Sequence, residues 1–166
     1  VGVENNIDLD TDLRSIIGSR LFDAPRDLVF SAFTDPTHLA QWWGPNGFTT
    51  TTHSFEFRPG GVWRFVMHGP DGRDYQNRIT YEDIVRPERI IYRHGGEEDV
   101  EPVQFTQTLT FDDLGSDRTR LTWHGRFLTA EERTRVITNY GADKGLSQTM
   151  ARLADYVATI ATEKTA

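Results

Sequence analysis

The sequence contains no cysteine. That excludes disulfides, iron–sulfur clusters, thiolate zinc sites and cysteine nucleophiles in one step. Basic residues are in the minority: 18 Lys and Arg against 25 Asp and Glu give a net charge of −7. A nucleic-acid binder needs a basic face to displace phosphate counterions, and a polybasic membrane-surface protein needs the same, so both are set aside. The acidic excess is scattered, which reads as solubility rather than a recognition patch. No apolar run reaches the length of a membrane span. The stretch from Val1 to Asp12 is polar and acidic, unlike a secretory signal, and a cytoplasmic location is expected. No Walker loop, dinucleotide fingerprint or Gly-x-Ser-x-Gly elbow occurs. The five histidines, His38, His53, His68, His94 and His124, lack metal-ligand spacing. Neither a metal nor another cofactor is therefore expected.

Aromatic residues are plentiful, at 11% of a chain of 166 residues, enough for one domain with a sizeable core or a lined cavity. Leu146, Met150, Leu153, Val157 and Ile160 recur at steps of four and three. At about 100° per residue they form one narrow stripe, so a long amphipathic helix is expected over 141–161. Thr129 followed by Glu132 reads as a capping box opening the helical region upstream. Off-stripe Val136, Ile137 and Tyr140 point to a bend or a separate helix before it.

Before that helix the chain reads mostly as strands. Residues 1–12 have little to bury and are expected to be a loose arm, with a single domain over 13–162. A strand is expected over Leu13–Phe22. Pro25 and Asp35-Pro36 then start two short helices. Six runs at hairpin spacing follow: Phe48–Phe57, Val62–His68, Tyr75–Val85, Arg89–His94, Val103–Phe111 and Thr119–Phe127. About seven antiparallel strands and one long helix make an α+β domain. One helix cannot cover so wide a flat sheet, so the sheet must curl around it, which commonly encloses a cavity.

Polar residues in phase with the inward aromatics are the informative ones, because buried polar groups need partners. By strand parity these are His53 (with Phe55 and Phe57), Asn77 (between Tyr75 and Ile79) and Gln107 (between Phe105 and Leu109). Satisfied core groups, or a bulge that turns them outward, are the competing structural reading. Trp63, Tyr75, Phe105 and Trp123 are the expected walls of a site facing Leu146, Met150 and Leu153. Of the adjacent Trp42 and Trp43, one is expected to plug the core; the other either half-covers it or lines the cavity entrance. His53 is the one histidine to which parity assigns an inward position. No carboxylate shares that phase beside it, so no catalytic residue is assigned.

Four motifs in order carry a family resemblance: Phe22-Asp-Ala-Pro25; Phe33-Thr-Asp-Pro36 with Leu39 and Trp42-Trp-Gly-Pro45; Arg58-Pro-Gly-Gly61 with Trp63-Arg-Phe-Val-Met-His-Gly-Pro-Asp-Gly72; and Tyr140-Gly-Ala with Gly145, Met150, Leu153 and Tyr156. Over residues 21–161 the chain resembles the helix-grip fold of the START-like (SRPBCC) superfamily, which includes pollen-allergen proteins and polyketide cyclases. More closely it is similar to the activator-of-heat-shock-protein-90-ATPase homologues. The resemblance implies a curved sheet gripping the C-terminal helix and a cavity for a small apolar or aromatic molecule. It also implies two alternatives: a co-chaperone with a chaperone partner and a part in the stress response, or a polyketide cyclase- or hydrolase-type enzyme. The reading carried forward is a non-catalytic small-molecule binder, monomeric or homodimeric.

Overall fold

The period-two alternation of the middle of the chain resolves into one antiparallel sheet. The computed structural model describes residues 5–95 and 105–165. Its strands are β1 (Asn6–Asp8), β2 (Ser15–Phe22), β3 (Thr49–Phe55), β4 (Val62–His68), β5 (Asp74–Val85), β6 (Arg89–Gly95), β7 (Phe105–Gly115) and β8 (Arg118–Phe127). They lie in the order β1-β2-β8-β7-β6-β5-β4-β3. Register shifts at Thr52/Ser54, Tyr81/Asp83 and Asp113/Gly115 interrupt three of the ladders. Such bulges bend and twist the strand that carries them, which suits a sheet that curls.

Among the described residues four helices accompany the sheet: α1 (Arg26–Ser31), α2 (Pro36–Trp42), α3 (Ala130–Tyr140) and α4 (Ala142–Thr165). The Asp35 carboxylate accepts from the His38 amide and Pro36 follows at the first helical position, so α2 starts where the Asp-Pro pair predicts. The Thr129 hydroxyl accepts from the Glu132 amide at 3.0 Å. The Glu132 carboxylate pairs with Arg135 rather than turning back to the cap. Gly141, at φ 62°, ends α3 in the left-handed region and lets α4 set off in a new direction. The apolar stripe of α4 faces the sheet, with Met150, Leu153, Val157 and Ile160 buried. Gly18 of β2 permits the close approach: a Cβ there would stand 2.8 Å from atoms of both Leu146 and Met150.

Among the described residues the sheet has eight strands where about seven were expected. Part of the segment read as a loose arm, Asn6–Asp8, pairs with β2 as an edge strand. Ile7 supplies the apolar contact, packing against the core. Val103, assigned to a strand by its alternation, and most of the charged loop before it lie outside the described residues.

One half of the interior is closed. Trp42 is fully buried and its indole N–H donates to the Ala32 carbonyl at 3.1 Å. Phe33 meets Trp42 edge-on at 4.8 Å, and Trp63 stacks on Phe65 at 3.8 Å. The void left there is about 10 Å³, too small for more than a single water molecule.

Candidate functional site

The other half is open. A cavity of about 210 Å³ lies between the inner faces of β6–β8 and the start of α4. Strand register builds its floor. Tyr92, Gln107 and Gly125 are cross-strand neighbours in one row; His94, Phe105 and Phe127 form the next. Trp123 occupies the row on the other side, beside Leu109. Gly125 leaves space above its backbone, and the Gln107 amide fills it: a Cβ there would lie 2.8 Å from Gln107 Oε1. Ala142, Leu146 and Thr149 of the helix form the roof.

The rim is the loop after α2. Trp43, Gly44 and Pro45 reach the cavity, and Arg152 of α4 holds that loop. Its Nη1 donates to the carbonyls of Gly44 (2.9 Å), Pro45 (3.0 Å) and Phe48 (3.2 Å). Burial pulls the Arg152 pKa below the ordinary arginine value. This clasp is not legible in the sequence, because a long-range cation–carbonyl contact leaves no local pattern.

Among the described residues the lining carries no Asp, Glu, Lys or Arg. His94 is half-buried by accessible surface, and its ring lines the cavity. Desolvation lowers its pKa to about 4, so it is a neutral imidazole at ordinary pH. His94 Nε2 lies 2.9 Å from Asn77 Oδ1, while Asn77 Nδ2 donates to the Tyr75 carbonyl. With the amide so placed, the His94 proton sits on Nε2 and Nδ1 is left as an acceptor. Tyr92 is buried, and its phenol pKa is raised well above the ordinary value, by desolvation first and then by Tyr81. The Trp123 indole offsets part of that rise, yet among the described residues Trp123 Nε1 makes no bond of full hydrogen-bond geometry. Gln107 Oε1 is likewise buried without a partner.

Of the residues proposed from sequence, Phe105, Gln107, Trp123 and Leu146 line this cavity. Asn77 stands one bond behind it, orienting His94. Met150 and Leu153 are fully buried in the core under the helix, and Trp63 belongs to the closed half. Tyr75 is half-buried, its ring 6.0 Å from Phe48. His53 is exposed and does not line the cavity. Thr52 pairs with Phe65 and Ser54 with Arg64, so His53 is the extra residue of the β3 bulge. Counting back from Phe55 in steps of two crosses that bulge and misassigns the face. The inward histidine is His94, in phase with Ile90 and Tyr92 on a strand where the same counting rule works. Both tryptophans of the pair act: Trp42 plugs the core and Trp43 lines the cavity.

A family model described as activator of Hsp90 ATPase homolog 1-like protein matches residues 23–158. A search of curated proteins finds no match. Among solved structures, a protein from Arthrobacter aurescens is 23% identical with a TM-score of 0.84, covering 93% of this chain and 91% of that one. A Mycobacterium smegmatis protein, Ms6760, is 24% identical with a TM-score of 0.82, covering 96% and 99%. An AHSA1 protein from Silicibacter pomeroyi is 21% identical with a TM-score of 0.73, covering 87% and 98%. At these identities the likeness is one of fold, and the fold is the helix-grip arrangement described above.

Proposed function

The chain belongs to the activator of Hsp90 ATPase homolog 1-like family, and from that premise we propose that it binds a small, mostly apolar molecule between the curved sheet and α4. The observation that carries this reading is the cavity itself, about 210 Å³ in volume and walled by Trp43, Phe105, Trp123 and Leu146. An apolar cavity of about 150 Å³ is enough to take up benzene, whereas pockets for drug-sized ligands run to roughly 300 Å³ and above. The occupant is therefore a compound of one ring or two small ones, not a lipid chain or a steroid. An acid–base enzyme is disfavoured: His94 has an amide rather than a carboxylate behind it. The Thr149 hydroxyl in the roof is committed to the Gly145 carbonyl.

Thermal-shift screening of one- and two-ring compounds tests the proposal, with Leu146→Trp as the filled-cavity control. The expected result is a rise in Tm with at least one apolar ring compound, absent in the variant. A flat response across the panel, in a protein that otherwise melts cooperatively, would sink it. The family description offers a second reading, activation of a chaperone ATPase. Stimulation of that ATPase by the Leu146→Trp variant and the parent chain alike would place such a role outside the cavity.

A further inference from the structure

The cavity floor is chemically uneven, and the unevenness has a pattern. Among the described residues Gln107 Oε1 is a buried acceptor without a partner, and the buried donor Trp123 Nε1 makes no bond of full hydrogen-bond geometry, only a weaker contact with the Tyr92 phenol. Trp123 is only 3% exposed, so bulk water does not satisfy the indole N–H from outside the cavity. A buried unpaired polar atom costs about 1–3 kcal/mol, and native structures seldom keep two in one place without a use for them. Both residues line the same cavity, on adjacent strands β7 and β8. Tyr92 and His94 lie beside them on β6, Tyr92 in the row of Gln107 and His94 in the row of Phe105. Among the described residues Nδ1 of His94 has no hydrogen-bond partner either.

Accepting the cavity as a binding site, we propose that its ligand is an uncharged ring compound carrying both a carbonyl and a hydroxyl group. The carbonyl would accept from Trp123 Nε1, and the hydroxyl would donate to Gln107 Oε1 or to His94 Nδ1. An Asn or Gln amide can be turned end for end, but a turned Gln107 would present a second donor, and the His94 acceptor would still call for a hydroxyl. The requirement for an uncharged compound follows from the lining. Among the described residues it offers no cation for a carboxylate and no anion for an amine, and burial holds both His94 and Tyr92 in their neutral forms. A charged ligand would have to shed its hydration with no counter-charge to replace it.

Three probes of similar size separate the contributions: ethylbenzene, 4-hydroxyacetophenone and 4-hydroxybenzoate. The protein has four tryptophans, so four indole N–H signals are followed in ¹⁵N-labelled protein, with Trp123→Phe assigning the relevant one. Expected is a downfield shift of the Trp123 signal with 4-hydroxyacetophenone and none with ethylbenzene. Calorimetry on the parent chain and on Gln107→Leu gives the second readout. The ratio of the two neutral probes' Kd values should change by about tenfold in favour of ethylbenzene in the variant. The carboxylate probe should bind at least about a hundredfold more weakly than 4-hydroxyacetophenone. If ethylbenzene and 4-hydroxyacetophenone both bind, but the Trp123 signal moves alike with each and the ratio is unchanged, the polar recognition is overturned while the binding site stands. Tight binding of 4-hydroxybenzoate overturns the neutral-ligand requirement. If no probe binds, the cavity reading itself has failed. Because the indole shift is measured on the unaltered chain, it decides the matter even where Gln107→Leu does not fold.

Discussion

A histidine that stays neutral in the fold but not in the unfolded chain makes stability depend on pH. The His94 pKa falls from 6.5 to about 4, with desolvation as the cause. Between those values the unfolded chain binds a proton that the folded chain does not, so stability rises with pH there and falls as the solution is acidified. A shift of that size corresponds to at most about 3 kcal/mol, fully lost below pH 4, and access from the cavity makes the realised figure smaller. Replacing His94 by Gln should flatten this part of the profile. Urea denaturation of both chains between pH 7 and about pH 4 checks it; parallel profiles would mean that His94 titrates as it does in water. This residue was also readable before the structure. Ile90, Tyr92 and His94 alternate as cleanly as Phe105, Gln107 and Leu109, and the rule that located Gln107 locates His94. The rule failed at His53 for a physical reason: a bulge adds one residue, and nothing in Thr-Thr-His-Ser-Phe announces it. Unpartnered atoms and the Arg152 clasp are three-dimensional facts with no sequence period at all.

At the scale of elements, glycine spacing separates two kinds of close approach. Gly18 faces the flexible ends of Leu146 and Met150, whereas a Cβ on Gly61 would come within 2.1 Å of the Glu56 backbone carbonyl oxygen. Side chains can rotate away; a carbonyl cannot. The turn holding Gly61 is tied to β5 on both sides, with the Gly60 amide donating to the Tyr81 carbonyl at 2.7 Å and the Tyr81 amide to the Gly61 carbonyl at 2.9 Å. Gly18→Ala should therefore cost about 1–2 kcal/mol, as ordinary overpacking does. Gly61→Ala should cost more than about 4 kcal/mol, in the range kept for severe backbone conflict. Chemical denaturation of the two variants ranks them, and equal costs would refute the distinction. Helix boundaries were more readable than these contacts. Caps at Asp35 and Thr129 and the stripe of α4 are local signals, and the bend at Gly141 was marked by apolar residues that leave the stripe.

Across the whole molecule, the interior divides into a part that is filled and a part that is not, and Trp43 and Tyr92 stand on the boundary, lining both the cavity and the small void. The sequence supplied the aromatic residues but not their allocation. Summed side-chain volume is the same whether rings pack edge-on around Trp42 or stand back from one another. What decides is where the sheet bulges and how far Gly18 and Gly125 let neighbouring groups approach, and these depend on contacts between distant segments. The division makes stability and ligand binding separable. Leu109 is fully buried and does not line the cavity. Its replacement by Ala should remove about 2–5 kcal/mol of stability, the transfer loss plus the cavity it leaves. Affinity for a cavity ligand should stay within about threefold of the parent, since a residue outside the lining loses no contact with it. Phe105→Ala is expected to do the reverse. Phe105 is half-buried, so its loss costs the fold less, but it removes a wall of the cavity and should weaken binding by about tenfold or more. Melting temperature and probe affinity, measured on both variants, make a two-by-two comparison. Two losses that rise and fall together would mean that the interior is one cooperative core, and that the cavity is a packing gap rather than a site.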